Sequence, residues 1–321
     1  MDTSEFIFDK RSLDPTKRKA GISAFMRIKN GEAFLRESIE SHISFFDEIV
    51  ACYNDCSDNT EAILLELQKN YPERLKVYHY VPKAHPPGSD LHRSTPGDSV
   101  NSLVNFYNYA LSKTSYTIAT KLDDDHLAIA HNLKRAIDYI KNTWNQKSLL
   151  VYSGLNIIPD SESKPAIYKN NMFSGNADIC FFPVSTETYF VHDERFELFT
   201  SNIKQKKYVG LLYFHLKFLK ENYGFNNYDI VNNPDSRYAK MYEAFVNTIE
   251  YITFDEFTTY IKSPNRLLKN YNKYKMKLLL SKIFKNIDTY KIDRAKTLEL
   301  DFISSQPEID RIKQLSCFTQ K

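Results

Sequence analysis

Glycine is scarce in this sequence: eight in 321 residues, against a usual ~7%. The eight are scattered singly and never build GxGxxG. A dinucleotide-binding Rossmann turn or a P-loop needs clustered glycines so that backbone N–H groups can approach a pyrophosphate, so both classes are disfavoured. Cysteine is also rare, with four residues and no paired CxxC spacing. That excludes a disulfide scaffold and a structural zinc site, and reduced thiols in a cytosol are the simplest reading. No run approaches the ~18 apolar residues of a membrane-spanning helix. Residues 1–20 mix Asp2, Glu5, Asp9, Lys10, Arg11 and Lys17 with few apolar side chains, the pattern of a polar tail rather than a secretory leader. A cytoplasmic protein is expected. With 42% hydrophobic and 26% charged residues and a net charge of +3, an ordinary folded chain with a sizeable core remains.

The hydrophobic pattern alternates between two periods. GISAFM reads as a buried strand, Phe34 to Phe46 as a helix, Ile49 to Tyr53 as a second strand, and Ile63, Leu64 and Leu67 mark a second helix capped by Ser57 or Asp58. LKVYHYV is a third strand, closed by Pro82. Residues 82–99, rich in Pro and Gly and carrying His85, His92 and Arg93, form a long loop of the functional kind. A helix over 99–112 then leads to the strand YTIATKL and to Asp123-Asp124-Asp125-His126. Strands alternating with helices imply an α/β fold with a mainly parallel sheet, whose ligands bind at the carboxyl ends of the strands. The middle third reads as mixed or antiparallel strands, and the pattern turns helical from about Pro234. The expected organisation is a polar tail (1–20), a catalytic domain over 21–232 split near residue 130, and a helical C-terminal region over 233–321.

Three successive aspartates at the end of an apolar strand repel one another unless a cation neutralises them, and their oxygens suit Mg²⁺ or Mn²⁺. Asp123 and Asp125 share one side of an extended chain. One can touch a metal that bridges a diphosphate while its neighbour holds a ribose hydroxyl. The alternative is a solvated turn with helix-capping aspartates.

In order and spacing, FMRIKNGE, then YNDCSDNT, then KLDDDH resemble the motifs of nucleotide-sugar glycosyltransferases of the GT-A fold, in particular the large, mostly inverting family that builds bacterial surface polysaccharides. The resemblance covers roughly residues 20–130. It implies that Arg27, Asn30, Glu32 and Asp55 serve the nucleotide, with Asp55 on the base. Asp123 and Asp125 serve ribose and metal, and Lys121 and Asp124 stand beside them at the donor. The glycine of the family's Asp-rich turn is here Cys56, and the turn is one residue shorter.

In the acceptor half, SGNADICFF and VHDERFELF resemble segments that precede the family's general base. Asp193 and Glu194 are the candidates, with Asp178 beside them. VGLLYFHLKFLK resembles the segment whose histidine returns to the metal, which implies His215 as a ligand; a packed core histidine is the other reading, and Lys217 could meet a phosphate. His126 either tunes the metal or packs behind it. Residues 261–294 hold ten Lys and Arg against two Asp, a net charge of +8. They suit either a helix lying on an anionic membrane face or one packed on the catalytic domain.

The function expected is metal-dependent transfer, with Mn²⁺ or Mg²⁺ and inversion at the sugar, from a nucleotide-sugar donor to a saccharide or lipid-linked saccharide in capsule or lipopolysaccharide synthesis. Nucleic acid is not an expected partner. Two rivals stand beside this reading. One is a phosphohydrolase of the HAD type using Asp123 as nucleophile, although Leu127 stands where its motif has Thr or Val. The other is a non-enzymatic basic binding protein acting through residues 261–294.

Overall fold

The computed structural model describes residues 3–175, 179–193, 196–262 and 301–319. Four parallel strands form one side of the main sheet: β1 (Lys19–Ile28), β2 (Glu48–Tyr53), β3 (Leu75–His79) and β4 (Tyr116–Lys121), in the spatial order β3-β2-β1-β4. They are followed in the chain by β5 (His126–Ala128), β6 (Leu149–Pro159), β7 (Pro165–Tyr168), β8 (Phe173–Ser174), β9 (Cys180–Pro183), β10 (Tyr189–Asp193), β11 (Phe196–Thr200), β12 (Lys206–His215) and β13 (Tyr251–Ile252). β9 inserts antiparallel between β4 and β6. β12 then runs parallel to β6 and antiparallel to β5. β7 and β13 close the far edge, and β10 and β11 make a separate two-stranded ribbon. The outcome is the expected α/β fold with a mainly parallel sheet, turning antiparallel and mixed where the pattern became irregular.

Alternation along β1 explains the layering. Ala24, Met26 and Ile28 face one side, where they pack with Leu35 and Ile39 of α1 (Leu35–His42) and Leu64 and Leu67 of α2 (Thr60–Asn70). Phe25 faces the other side, toward Phe106, Tyr109 and Ala110. Both faces are therefore covered, as a parallel sheet requires. The 82–99 loop carries the short helix α3 (Asp90–Ser94), and the helix expected over 99–112 begins at Leu103, as α4 (Leu103–Ser112). Ser102 caps it by accepting from the Val104 N–H.

The N-terminal segment is polar in composition but anchored. Phe6 and Leu13 are buried against Tyr80 and Tyr109, and the Asn105 amide clamps the backbone on both sides, at Phe6 O and Phe8 N. The few apolar side chains among the charges show no periodicity, so this packing is not visible in the pattern. After the aspartates, α5 (Ala130–Asn142) packs Leu133, Ala136, Ile137 and Ile140 on the sheet.

The described parts of the C-terminal region share a core with the sheet. α6 (Arg237–Asn247) and α7 (Phe254–Lys262) follow β12 in the chain, and α8 (Gln306–Lys313) and the short α9 (Ser316–Thr319) come last among the described elements. Phe257, Phe302, Ile309 and Ile312 pack among Leu127, Leu155, Leu211 and Phe214. Asp301, fully buried, accepts from Leu211 N–H and from Arg135. The change of pattern near residue 233 thus marks a change of element type within one shared core. Most of the basic 261–294 segment lies outside the described residues.

Candidate active site

A cavity of about 250 Å³ opens at the carboxyl ends of β1, β2 and β4. Its floor is the acidic triplet after β4, and its rim is strongly basic, with Arg27, Lys29, Lys121, Lys217 and Lys220. Leu103, Phe106 and Tyr107 of α4 and the Ala84–Pro87 stretch form an apolar end.

Each aspartate meets a cation differently. Asp123 lies 3.2 Å from Lys121 and 3.6 Å from His126. Burial alone would raise its pKa, but Lys121, with Arg27 further off, outweighs it and holds the carboxyl down at about 2. Lys220 Nζ bridges Asp124 Oδ2 at 2.8 Å and Asp125 Oδ2 at 2.9 Å. Burial pushes the Asp124 carboxyl up, with Asp125 adding to the push against Lys220. For Asp125 burial is again unfavourable to the charge, yet Lys220 outweighs it and holds this carboxyl well below the usual range. Lys220 in turn keeps its proton, because the two aspartates overcome its own burial.

Asp125 Oδ1 is buried and has no hydrogen-bond partner. It faces His215 Nε2 at 3.4 Å. The Asn156 amide fixes the histidine: its Nδ2 donates to Asn171 O at 2.7 Å, which turns Oδ1 toward His215 Nδ1 at 2.6 Å. An amide oxygen only accepts, so Nδ1 carries the hydrogen and Nε2 is the atom presented to Asp125. His126 completes a group whose ligating atoms lie within 4.8 Å of one another, Asp125, His126 and His215. Burial lowers His126 to about 3, so its imidazole is neutral, and it stacks on Tyr213 with ring centroids 3.7 Å apart. One carboxylate oxygen and two imidazole nitrogens are a donor set that suits Mn²⁺, and the orphaned Asp125 Oδ1 fits such an ion.

The other expected residues divide. Arg27 lines the cavity, stacked 4.4 Å from the Tyr107 ring centroid and donating to its hydroxyl at 3.1 Å. Burial opposes its charge, but Tyr107 and Glu197 outweigh it. Asn30, Glu32 and Asp55 do not line the cavity. Asn30, at φ 51°, accepts from Ser57 N–H and donates to Asn227. Glu32 accepts from Asn59 through both oxygens. Asp55, at φ 47°, is paired with Lys29 and Lys83 at 2.8 and 3.0 Å. In this arrangement the three brace the turns after β1 and β2. Asn54, beside Asp55, does reach the cavity, but its amide is committed to Tyr80 O, Pro82 O and Ala84 N.

On the acceptor side, Asp193 ends β10 in the separate ribbon, opposite Phe196 along the ladder. Glu194 and Asp178 lie outside the described residues. Of the loop residues, His85 lines the cavity, His92 is buried against Glu197 at 2.8 Å, and Arg93 pairs with Asp90 at the surface. Among the walls given no site role by the sequence, Lys220 lies within VGLLYFHLKFLK and Tyr107 on the 99–112 helix, while Asn227 and Tyr228 carry no signal there.

A basic cavity over strand-end carboxylates on a mainly parallel sheet is the build of a nucleotide-sugar glycosyltransferase, and comparison with known proteins gives the family. A family model described as beta-1,4-N-acetylgalactosaminyltransferase (CgtA) matches residues 2–183, more than half of the chain. The chain belongs to this glycosyltransferase family. Its membership sets aside the phosphohydrolase and the non-enzymatic binding protein.

None of the curated proteins matches the sequence. Among solved structures, S. aureus TarS (residues 1–349) in complex with UDP is 18% identical, over 43% of this chain and 35% of that one, with a TM-score of 0.28. Glucosyl-3-phosphoglycerate synthase from Mycobacterium tuberculosis, in complex with Mg²⁺ and UDP, is 17% identical over 46% and 48%, with a TM-score of 0.28. A second structure of TarS 1–349 is 16% identical over 92% and 82%, with a TM-score of 0.37. The chain thus spans about a third to a half of the length of the first two. Among the described residues, no helix is long and apolar enough to cross a membrane.

Proposed function

We propose that this protein transfers a sugar from a UDP-sugar, N-acetylgalactosamine in the first instance, to a saccharide or lipid-linked saccharide acceptor of a bacterial surface polysaccharide. The family description supplies the sugar and a β-1,4 linkage. UDP donors of this class are α-linked, so a β product means inversion at the anomeric carbon.

The observation that carries the reading is the pairing of Asp125 Oδ1, buried and unpartnered, with a His215 whose Nε2 is aimed at it by Asn156. Asp125 and His215, with His126 beside them, would hold Mn²⁺ or Mg²⁺. When bound, the ion would supply Lewis-acid screening of the diphosphate as leaving group. The residues of the chain do the rest. Lys121, Lys217 and Lys220 offer cationic donors to phosphate oxygens, in a cavity whose apolar walls strengthen them. Asp123, held ionised by Lys121, can accept from a ribose hydroxyl. The apolar end between α4 and Ala84–Pro87 suits a flat base. The acceptor's general base would be Asp193, at the end of β10, or Glu194, which follows it in the sequence. The basic 261–294 segment would bring the enzyme to an anionic membrane face at the cytoplasmic side, where lipid-linked acceptors are used.

Thermal shift tests the donor reading, using UDP, GDP and CDP with and without Mn²⁺. A ligand at a hundredfold excess over its Kd adds about 2.7 kcal/mol. The expected result is a Mn²⁺-dependent shift with UDP that Asp125→Asn abolishes. Equal shifts with and without Mn²⁺ would remove the metal from the account, and no shift with any nucleotide would remove the donor.

A further inference from the structure

Lys220 belongs to a strap that crosses the cavity from the end of β12. The strap is tied down at several points: Leu216 N–H donates to Asp125 O, the Asn227 amide donates to Lys29 O, and Asp229 N–H donates to Pro87 O. Its middle is a left-handed stretch, with φ of 46° at Asn222, 55° at Tyr223 and 72° at Gly224. A side chain at Gly224 would collide with Lys217, whose backbone oxygen lies 2.8 Å from the place of a Cβ. The strap therefore has one well-defined backbone course, and it delivers two lysines to the cavity in different ways. Lys217 is caged, its ammonium 4.3 Å from the Phe225 ring centroid and 4.7 Å from that of Tyr228. Among the described residues Lys220 meets no aromatic ring, and it is held by the carboxylates of Asp124 and Asp125.

The two oxygens of Asp125 thus have different occupations. Oδ2 holds the Lys220 ammonium and Oδ1 faces His215. A divalent ion arriving at Oδ1 shares its carboxylate with a positive charge that is already there, and the two cations repel. A diphosphate entering the same cavity offers Lys220 a second anionic partner within the reach of a flexible side chain, with no change in the strap's backbone.

Resting on the donor reading above, we infer that Lys220 couples metal binding to nucleotide binding. Paired with Asp124 and Asp125, it weakens the site for a divalent ion. Drawn to the diphosphate, it leaves the Asp125 carboxylate to the ion alone. The ion and the UDP moiety then bind each other's complexes better than they bind the protein alone, and part of that gain belongs to this lysine. By linkage the effect is the same in both directions.

The test is a binding cycle, measured by Mn²⁺ electron paramagnetic resonance and by titration calorimetry without any acceptor or turnover. Mn²⁺ is titrated into wild type, Lys220→Met and Lys220→Arg, each with and without saturating UDP. Two charges a few ångströms apart at a protein surface repel by enough to change affinity at least about tenfold. The expected result is Mn²⁺ binding at least about tenfold tighter to Lys220→Met than to wild type without UDP. The enhancement by UDP should shrink by a similar factor, and Lys220→Arg should restore the wild-type pattern. Lys220→Met leaves two buried carboxylates without their cation, so Lys220→Met/Asp124→Asn, which removes one charge of each sign, is measured beside it and should show the same loss of coupling. Unchanged Mn²⁺ affinity and undiminished enhancement in both variants would overturn the inference and leave the donor reading standing. Failure of wild type to bind Mn²⁺ even with UDP would instead overturn the metal reading, and this inference with it.

Discussion

The two walls of the cavity are built on different principles. The floor comes from one short stretch, Asp123 to Asp125, placed by a single strand end. The opposite wall comes from residues 215–228, which leave the sheet at the end of β12 and reach the cavity only because the strap is tied to loops nearly two hundred residues earlier in the chain. The floor gathers negative charge and the strap supplies the positive charge that makes it tolerable. Charge that is costly in either wall alone becomes a binding site when the two meet.

Breaking the floor should have the largest effect. Asp125→Asn keeps the shape of the side chain but removes the charge facing His215, and transfer should fall by about 10³-fold, on the several-kcal/mol scale of metal charge stabilisation. A steady-state assay with UDP-N-acetylgalactosamine checks this, and the thermal midpoint should fall as well, since Lys220 loses one of its two carboxylate partners.

Breaking the support of the strap's side of the molecule is a question of packing. Phe302 is buried, with its ring 4.8 Å from Phe257 and 6.2 Å from Phe254. Phe302→Ala should cost about 3 kcal/mol in urea unfolding. An unfolding curve that splits into two transitions would show that the C-terminal elements fold apart from the sheet. The comparison is sharpened by Asn156→Leu, which leaves every proposed ligand in place but frees His215 Nδ1. Mn²⁺ affinity in the presence of UDP should weaken by about tenfold or more, as loss of a group orienting a ligand does.

The smallest effect is in the helix beneath the floor. His42 of α1 is buried, its Nδ1 2.7 Å from Ser38 O, and burial lowers its pKa to about 4. The unfolded chain binds a proton there below about pH 6.5, and the folded chain does not until about pH 4. The unfolded state therefore carries more protons across that window, and stability contributed by this group falls as pH falls from 6.5 toward 4. His42→Gln should flatten the dependence by at most about 1.4 kcal/mol per pH unit, read from urea unfolding at pH 5.0 and 6.5.

The same contrast governs what the sequence disclosed. β1, β2 and β4, the helices between them and the acidic triplet are legible because each is local: a period, a cap, a charge at a strand end. His215 is legible through the segment it sits in. The partners that give these residues their properties are not, because they come from distant parts of the chain. Tyr107 under Arg27, Asn156 behind His215 and Lys220 across Asp124 and Asp125 are such cases. Phe6 and Leu13 were hidden for a related reason, since the few apolar residues in a charged segment carry no period. Asn30, Glu32 and Asp55 show the reverse. Their motif is plain in the sequence, yet their polar atoms are taken up by neighbouring turns.

The central claim is that Asp125 and His215 together hold a divalent ion against the diphosphate of UDP. Pulsed electron paramagnetic resonance on the Mn²⁺–UDP complex tests it directly, through the couplings of the ion to histidine nitrogen and to phosphorus. The account predicts both couplings in wild type, with the nitrogen coupling lost or reduced in His215→Asn and the phosphorus coupling kept. Phosphorus coupling without any nitrogen coupling in wild type would contradict it.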